Sequence, residues 1–206
     1  MKRTHVLVFL FAALLAVPQI VQTQSTRSLA PPAAPAWKID VAHSELSFSI
    51  RHLVSRVRGQ FDVWSGTIVA DPADWSTASV EVTAQTASVN TNNERRDADL
   101  RSTNHFDAES NPTVTFRSTR VERVAQDSLR VTGNLTIHGI TRPVILLGHF
   151  NGMIGNPGSR RAGFEASALI NRKDFDMTWN RIVEGGQLLG DEVRIDIQVA
   201  AVEQPK

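Results

Sequence analysis

The chain has 206 residues, 41% hydrophobic and 21% charged, with a formal net charge of +1 and no cysteine. That composition provides one good hydrophobic core. It excludes thiol chemistry and a disulfide scaffold, and its near-neutral balance carries no electrostatic footprint for nucleic acid.

At the N-terminus, Lys2 and Arg3 precede an apolar run from Val6 to Val17, and polar residues follow around Gln22 to Ser25. This is the layout of a secretory signal, and the run is well short of the roughly 20 residues needed to span a bilayer. A cut near Thr23 or Ser25 leaves Ala30 to Ala36, built only of Pro and Ala, as a flexible leader. The expected organisation is a cleaved signal over residues 1–25, a leader over 26–36 and one folded domain over 37–206. Removing Lys2, Arg3 and Arg27 leaves 19 basic against 21 acidic residues, a balance of −2. The expected location is the periplasm or exterior of a bacterium, with no stable membrane insertion once the signal is removed.

From Trp37 onward, period-two alternation recurs in short segments separated by turn residues, the pattern of an antiparallel sheet. Leu46, Phe48 and Ile50 alternate with Ser47, Ser49 and Arg51; Phe61 and Val63 follow, then Val80 and Val82. Asn92 to Thr103 breaks the pattern, with charges at helical spacing, Arg95–Asp99 and Asp97–Arg101 as one-turn pairs, and Asn92 or Asn93 as cap. A short surface helix is expected, with only Ala98 and Leu100 available to a core.

Strands resume at Val114 and Phe116, at Leu129 to Ile137, and at Leu146 and Phe150. Ala162, Phe164, Ala166, Ala168 and Ile170 share one face of the next segment, and Val193, Ile195, Ile197 and Val199 share one face of the last. Between these two, Asp174 to Gly186 fits a loop or a single helical turn. About eight strands with one apolar face each can pack as two sheets or close into a barrel. Gly133, Gly148, Ala162, Ala166 and Ala168 on the inward faces leave room inside.

Catalytic wiring is absent from the motifs. There is no Gly-x-Ser-x-Gly elbow, no His-Glu-x-x-His, no phosphate loop and no dinucleotide fingerprint. Asp191, Glu192 and Asp196 read as solvated charge, and Asp97-Ala98-Asp99 as a charged helix surface. Among the histidines from Trp37 onward (His43, His52, His105, His138 and His149), none is paired at the i, i+4 spacing of a helical metal site. His43 and His52 can help line one mouth of a barrel, or serve simply as hydrogen-bonded strand ends. No catalytic residue, metal site or cofactor is assigned.

Six ordered motifs, "WKIDVAHSELSFSIRHL", "GQFDVWSGTIVADP", "RRDADLRSTNHFDAESNPTVTFRST", "GNLTIHGITRPVIL", "INRKDFDM" and "LLGDEVRIDIQV", resemble the YceI-like, polyisoprenoid-binding family. The resemblance spans Trp37 to Val202 and implies an all-β fold. That fold is an extended eight-stranded antiparallel lipocalin-like barrel, with one or two short helices, holding a long apolar molecule. Within "LTIHGITRPV", Gly139 is expected to relieve backbone strain and Pro143 to fix the start of the following strand. Asn111 stands where the family commonly has an aromatic, and Asp176 where it usually has glycine.

Combining the resemblance with the inward faces, the residues expected to line a ligand bore are Phe48, Ile50, His52, Phe61, Val63, Val82, Phe116, Ile137, Leu146, Phe150, Phe164, Ala166, Ala168, Phe175 and Trp179. The expected partner is a polyisoprenoid, an isoprenoid quinone or a fatty-amide-like ligand, bound for transport, storage or stress protection. Two other readings remain. One is an enzyme on an isoprenoid or lipid, using His43, His52 or Arg51. The other is a side-chain-filled barrel that binds a partner or forms a homodimer.

Overall fold

A computed structural model describes residues 34–184 and 186–205. The expected signal and most of the leader lie outside the described residues. The strands are β1 (Ala36–Ile39), β2 (Glu45–His52), β3 (Ser55–Phe61), β4 (Trp64–Asp71), β5 (Asp74–Gln85) and β6 (Val89–Asn90). After helix α1 (Glu94–Arg101) come β7 (Thr113–Arg123), β8 (Ser128–Ile137), β9 (Ile140–Ile154) and β10 (Arg161–Asn171). The small hairpin β11 (Ile182–Val183) and β12 (Gly186–Gln187) precedes β13 (Leu189–Glu203).

The main sheet closes on itself. Its antiparallel order runs β1-β4-β5-β7-β8-β9-β10-β13, and β13 pairs back to β1 through Trp37↔Glu203 and Ile39↔Ala201. The remaining three strands extend this ring along its axis. β2 pairs with β13 beyond β1, β3 pairs with β2, and β6 pairs with β3. Thus β1/β2, β3/β4 and β5/β6 are each one barrel stave with a break, at a 3₁₀ turn (Val41–His43), a bend at Asp62 and Val63, and a second 3₁₀ turn (Thr86–Ser88). The result is the eight-stranded antiparallel barrel that the resemblance implies, the closed one of the two arrangements that the alternation leaves open.

Serine hydroxyls carry the bonds that the ladder drops at these breaks. Ser44 Oγ donates to the Asp40 carbonyl at 2.7 Å and accepts from the Ala200 N–H at 2.9 Å. Ser88 Oγ accepts from the Val63 N–H at 3.0 Å and donates to the Gln85 carbonyl at 2.7 Å. The break at Asp62–Val63 also shifts the strand parity by one, as an inserted residue must. Phe61 and Trp64 both point inward, and Val63, expected in the bore, stands outside at 57% exposure.

The hairpin between β8 and β9 turns on His138 and Gly139 alone, at φ 52° and 71°. Both central residues of such a two-residue turn take positive φ, and glycine does so without strain. Pro143 does not mark the start of β9, which begins at Ile140. It pairs with Asn134 inside the strand. Counting from the Ile137↔Ile140 closing pair, the alternation of the ladder turns its missing N–H away from β8. β9 pairs with β10 only from Leu147 onward, so that side of Pro143 has no ladder to break.

One end of the barrel is filled. Trp37 and Ala201 are completely buried, the Trp37 and Trp75 rings lie 5.2 Å apart, and Trp75 meets Phe164 edge-on at 4.8 Å. Arg160 and Glu203 latch this end: Nη2–Oε1 is 2.6 Å, Nε–Oε2 is 2.7 Å, and the guanidinium sits 5.5 Å over Trp37.

Helix α1 is capped by Asn93, whose side chain accepts from the Arg96 N–H at 3.0 Å. Its packing differs from expectation. Ala98 is exposed, Leu100 is half-buried, and the residue it buries is Asp97, which accepts from the Thr91 N–H at 2.9 Å and from the Thr91 hydroxyl. Asp99 faces His105, and Arg101 reaches the carbonyls of Ala87 and Val89, so the expected one-turn pairs give way to tertiary ones. A short buried carboxylate hydrogen-bonded through one oxygen to a neighbouring segment docks the helix in place of an apolar stripe.

Candidate ligand-binding site

Above the aromatic floor the bore is open. Its cavity measures about 840 Å³ and runs from Trp75, Phe164 and Leu129 at the filled end to α1 and the segment after β10 at the other. Its wall is mainly aliphatic and aromatic, with polar residues gathered largely toward the open end. Leu46, Val82, Val131, Ile195 and Ile197 point inward yet are only partly buried. In a filled core such residues would touch neighbours on every side. Here their accessible surface faces the bore.

Of the residues expected to line the bore, Phe48, Ile50, His52 and Phe61 do so from β2 and β3, Val82 and Phe116 from β5 and β7, and Ile137 and Leu146 from β8 and β9. Phe164 and Ala166 line it from β10, and Phe175 and Trp179 from the segment that follows. Three do not. Phe150 is packed into the floor, 5.4 Å from both Trp75 and Phe164. Ala168 is buried in the surrounding core, and Val63 lies outside for the reason given above. His43 is also outside, hydrogen-bonded to Asp40 at 3.0 Å, and Arg51 donates to the Leu53 carbonyl at 3.2 Å.

The small inward residues divide into two kinds. A Cβ on Gly133 would strike the Phe116 ring and the Arg117 carbonyl at 2.6 Å, and one on Gly59 would meet the Phe48 ring at 2.5 Å. These glycines are covered by phenylalanine and leave no space. Gly148 and Ala166, paired across β9 and β10, both line the cavity, and a Cβ on Gly148 would meet nothing nearer than 3.6 Å. The real slack in the wall is at this pair.

Several lining residues gave no sequence signal. Trp75 begins β5 out of phase with Val80 and Val82, so alternation does not reach it. Its indole N–H has no hydrogen-bond partner among the described residues, which leaves one donor near the floor of the bore. Phe106 and His105 lie in an irregular stretch after α1, and Arg172 is a charged residue in a short 3₁₀ turn (Arg172–Phe175).

Arg172 organises the open end. It is only 4% exposed, and donates to the carbonyls of Gly190 at 2.9 Å, Trp179 at 2.8 Å and Met177, and to Asp191 Oδ1 at 3.2 Å. One planar fork thereby pins the chain between Met177 and Asp191 to the barrel. Burial holds this guanidinium below its usual pKa, and Asp191 opposes that. Asp191 itself is lowered, first by its hydrogen bond from Lys173. At Asp176 the turn ends with φ 58°, the left-handed conformation that explains a glycine as the usual residue there. Asn111 rests its side chain against the His138–Gly139 turn, where a Cβ on Gly139 would lie 2.9 Å from Oδ1.

His105 Nε2 lies 3.4 Å from Asp99 Oδ2, and its ring meets Trp179 edge-on at 5.1 Å. Burial pushes this imidazole below its ordinary pKa, and Asp99 only partly opposes the shift. Arg172 and Asp191, and His105 and Asp99, are thus held at the mouth by one another and by backbone, and the bore behind them is mainly apolar.

A barrel of this form is shared by known proteins. A YceI-like domain model matches residues 37–201. Protein YceI of Salmonella arizonae is 39% identical over 178 residues, covering 83% of this chain and 88% of that one. A crystal structure of the YceI protein of Campylobacter jejuni superposes with a TM-score of 0.67 at 32% identity, over 75% of this chain and 90% of its own. The structure of a polyisoprenoid-binding domain from Saccharophagus degradans shares the fold at 18% identity, with a TM-score of 0.61 over 82% of this chain and 99% of its own. By its matched domain, its sequence identity to these relatives and its barrel, this chain belongs to the YceI-like family.

Proposed function

We propose that this protein is an exported, non-enzymatic carrier that holds one long apolar molecule in its bore: a polyisoprenoid, an isoprenoid quinone or a fatty-amide-like lipid. The observation that carries the reading is the unfilled, blind, apolar cavity of about 840 Å³. At the roughly 30 Å³ that a water-sized group occupies in liquid, it has room for between two and three dozen chain atoms. Each buried methylene contributes about 0.8 kcal/mol, so a dozen give about 10 kcal/mol and two dozen about 19 kcal/mol, against association costs of roughly 4–15 kcal/mol. A long chain is therefore held without a polar anchor. The Saccharophagus domain is described as polyisoprenoid-binding, which puts isoprenoids first among the ligands to try.

Export rests on the signal pattern of residues 1–25, and the carrier operates in the periplasm or outside the cell. Mass spectrometry of an organic extract, from protein purified out of the periplasmic fraction, tests both parts. The expected result is a chain that lacks the signal over residues 1–25 and carries a long-chain lipid at up to one per barrel. Protein that carries none, and that takes up no long-chain isoprenoid when one is supplied, would overturn the carrier reading. An intact signal on membrane-embedded protein would overturn export.

A further inference from the structure

The open end of the bore is flanked by two hairpins that carry their apolar residues on the outside. The turn between β2 and β3 exposes Leu53 and Val54, the latter at 104%, and the β11–β12 hairpin exposes Ile182 at 89%. The two are joined. The Leu53 N–H donates to the Leu188 carbonyl at 2.9 Å, the Leu188 N–H donates to the Arg181 carbonyl at 2.9 Å, and Ile182 pairs with Gln187 next to Leu188. The bore reaches this side of the rim, because His52, Val57, Arg181 and Leu188 line it.

The two hairpins themselves carry mostly positive charge. Residues 51–61 contain Arg51, Arg56 and Arg58 and no acid, and Arg181 begins the second hairpin, with Glu184 its one carboxylate. Among the described residues, none of these four arginines has a carboxylate within ion-pair distance. Residues 34–205 as a whole hold 18 basic and 21 acidic residues, a balance of −3. Four unpaired cations thus sit at the mouth of a chain whose overall charge has the opposite sign. Single exposed aliphatic residues are commonplace. Two fully exposed aliphatic tips, hydrogen-bonded side by side at the mouth of an apolar bore and ringed by unpaired arginines, match a surface of anionic headgroups over hydrocarbon.

We propose that this side of the rim is a docking surface for an anionic lipid bilayer, with Val54 and Ile182 entering the interface and Arg51, Arg56, Arg58 and Arg181 meeting the phosphates. The proposal rests on the carrier reading in one respect: a bilayer is where a long apolar cargo is held, and docking brings the mouth of the bore to it. Flotation with vesicles tests it. Wild-type protein is expected to float with vesicles of mixed phosphatidylcholine and phosphatidylglycerol, to remain soluble with phosphatidylcholine alone, and to be released by high salt.

Arg56→Gln/Arg58→Gln should weaken partitioning roughly thirtyfold, and Val54→Ser/Ile182→Ser at least about tenfold. None of these four residues lines the cavity, so uptake of a fluorescent long-chain probe in vesicle-free buffer should be unchanged in both variants. Wild-type protein that ignores anionic vesicles, or binds neutral ones equally well, would overturn the proposal. So would variants that float like wild type, or that lose the probe in solution. Wild-type protein that docks but takes up no probe would leave the docking surface standing and remove the carrier reading.

Discussion

Replacing Ala166 by tryptophan sends an indole into the bore at a place where the wall has slack. Ala166 lies between Gly148 on β9 and Ile197 on β13, and nothing comes within 3.6 Å of where a Gly148 Cβ would be. In a filled core the added ring would force neighbours off their rotamers at about 1–3 kcal/mol. In a cavity of about 840 Å³ it has space to turn into, and it gains contact with Phe164 and the aliphatic wall. The melting temperature of Ala166→Trp should therefore stay close to that of wild type.

Its cost should fall on the ligand. Excluding four methylenes, at about 0.8 kcal/mol each, removes about 3 kcal/mol, which is roughly a two-hundredfold loss of affinity. Circular dichroism melts and displacement of a fluorescent fatty probe read the two effects separately. Unfolding, or a stability loss of several kcal/mol, would show that the space is not free. Unchanged affinity on a folded variant would show that the ligand does not run past Ala166.

Gly133→Ala should destabilise by about 1–3 kcal/mol in chemical denaturation, because its Cβ meets the Phe116 ring and the Arg117 backbone oxygen, whereas Gly148→Ala should stay within about 0.5 kcal/mol of wild type. Glu203 is held down to about 2 from 4.5, chiefly by the Arg160 hydrogen bond, so its stabilisation is complete above pH 4.5 and is lost as pH falls through about 2. Glu203→Gln should flatten that acid limb of the stability curve. His105 shares that preference at higher pH: its folded pKa lies below 6.5, so the unfolded chain binds protons first and stability declines as pH falls below 6.5. His105→Gln should remove that decline in melts taken across the range.

The strands were legible wherever one face met the core without interruption. The alternation through Leu46, Phe48 and Ile50, through Phe164 to Ile170, and through Val193 to Val199 places these residues on the inward faces that the structure shows. It failed where the chain changes parity. At Asp62–Val63 a bend carried Val63 outside and Trp64 inside, and at the start of β5 Trp75 falls out of phase with Val80. Composition gave no warning that Gly133 and Gly59 lie beneath phenylalanine rings, because that depends on a cross-strand neighbour. The mouth was hidden for a different reason. Arg172, His105 and Asp97 are polar residues buried through specific hydrogen bonds, and a pattern that equates polar with exposed assigns them to the surface.

The central claim is that the bore binds by apolar length, and displacement of a fluorescent probe by a homologous series of fatty amides and isoprenoid alcohols tests it most directly. The account predicts that affinity rises about fourfold for each added methylene until the bore is full, then levels off, with little dependence on whether the headgroup is amide, alcohol or quinone. Affinity that stays flat with chain length, but collapses when the headgroup is changed, would contradict it.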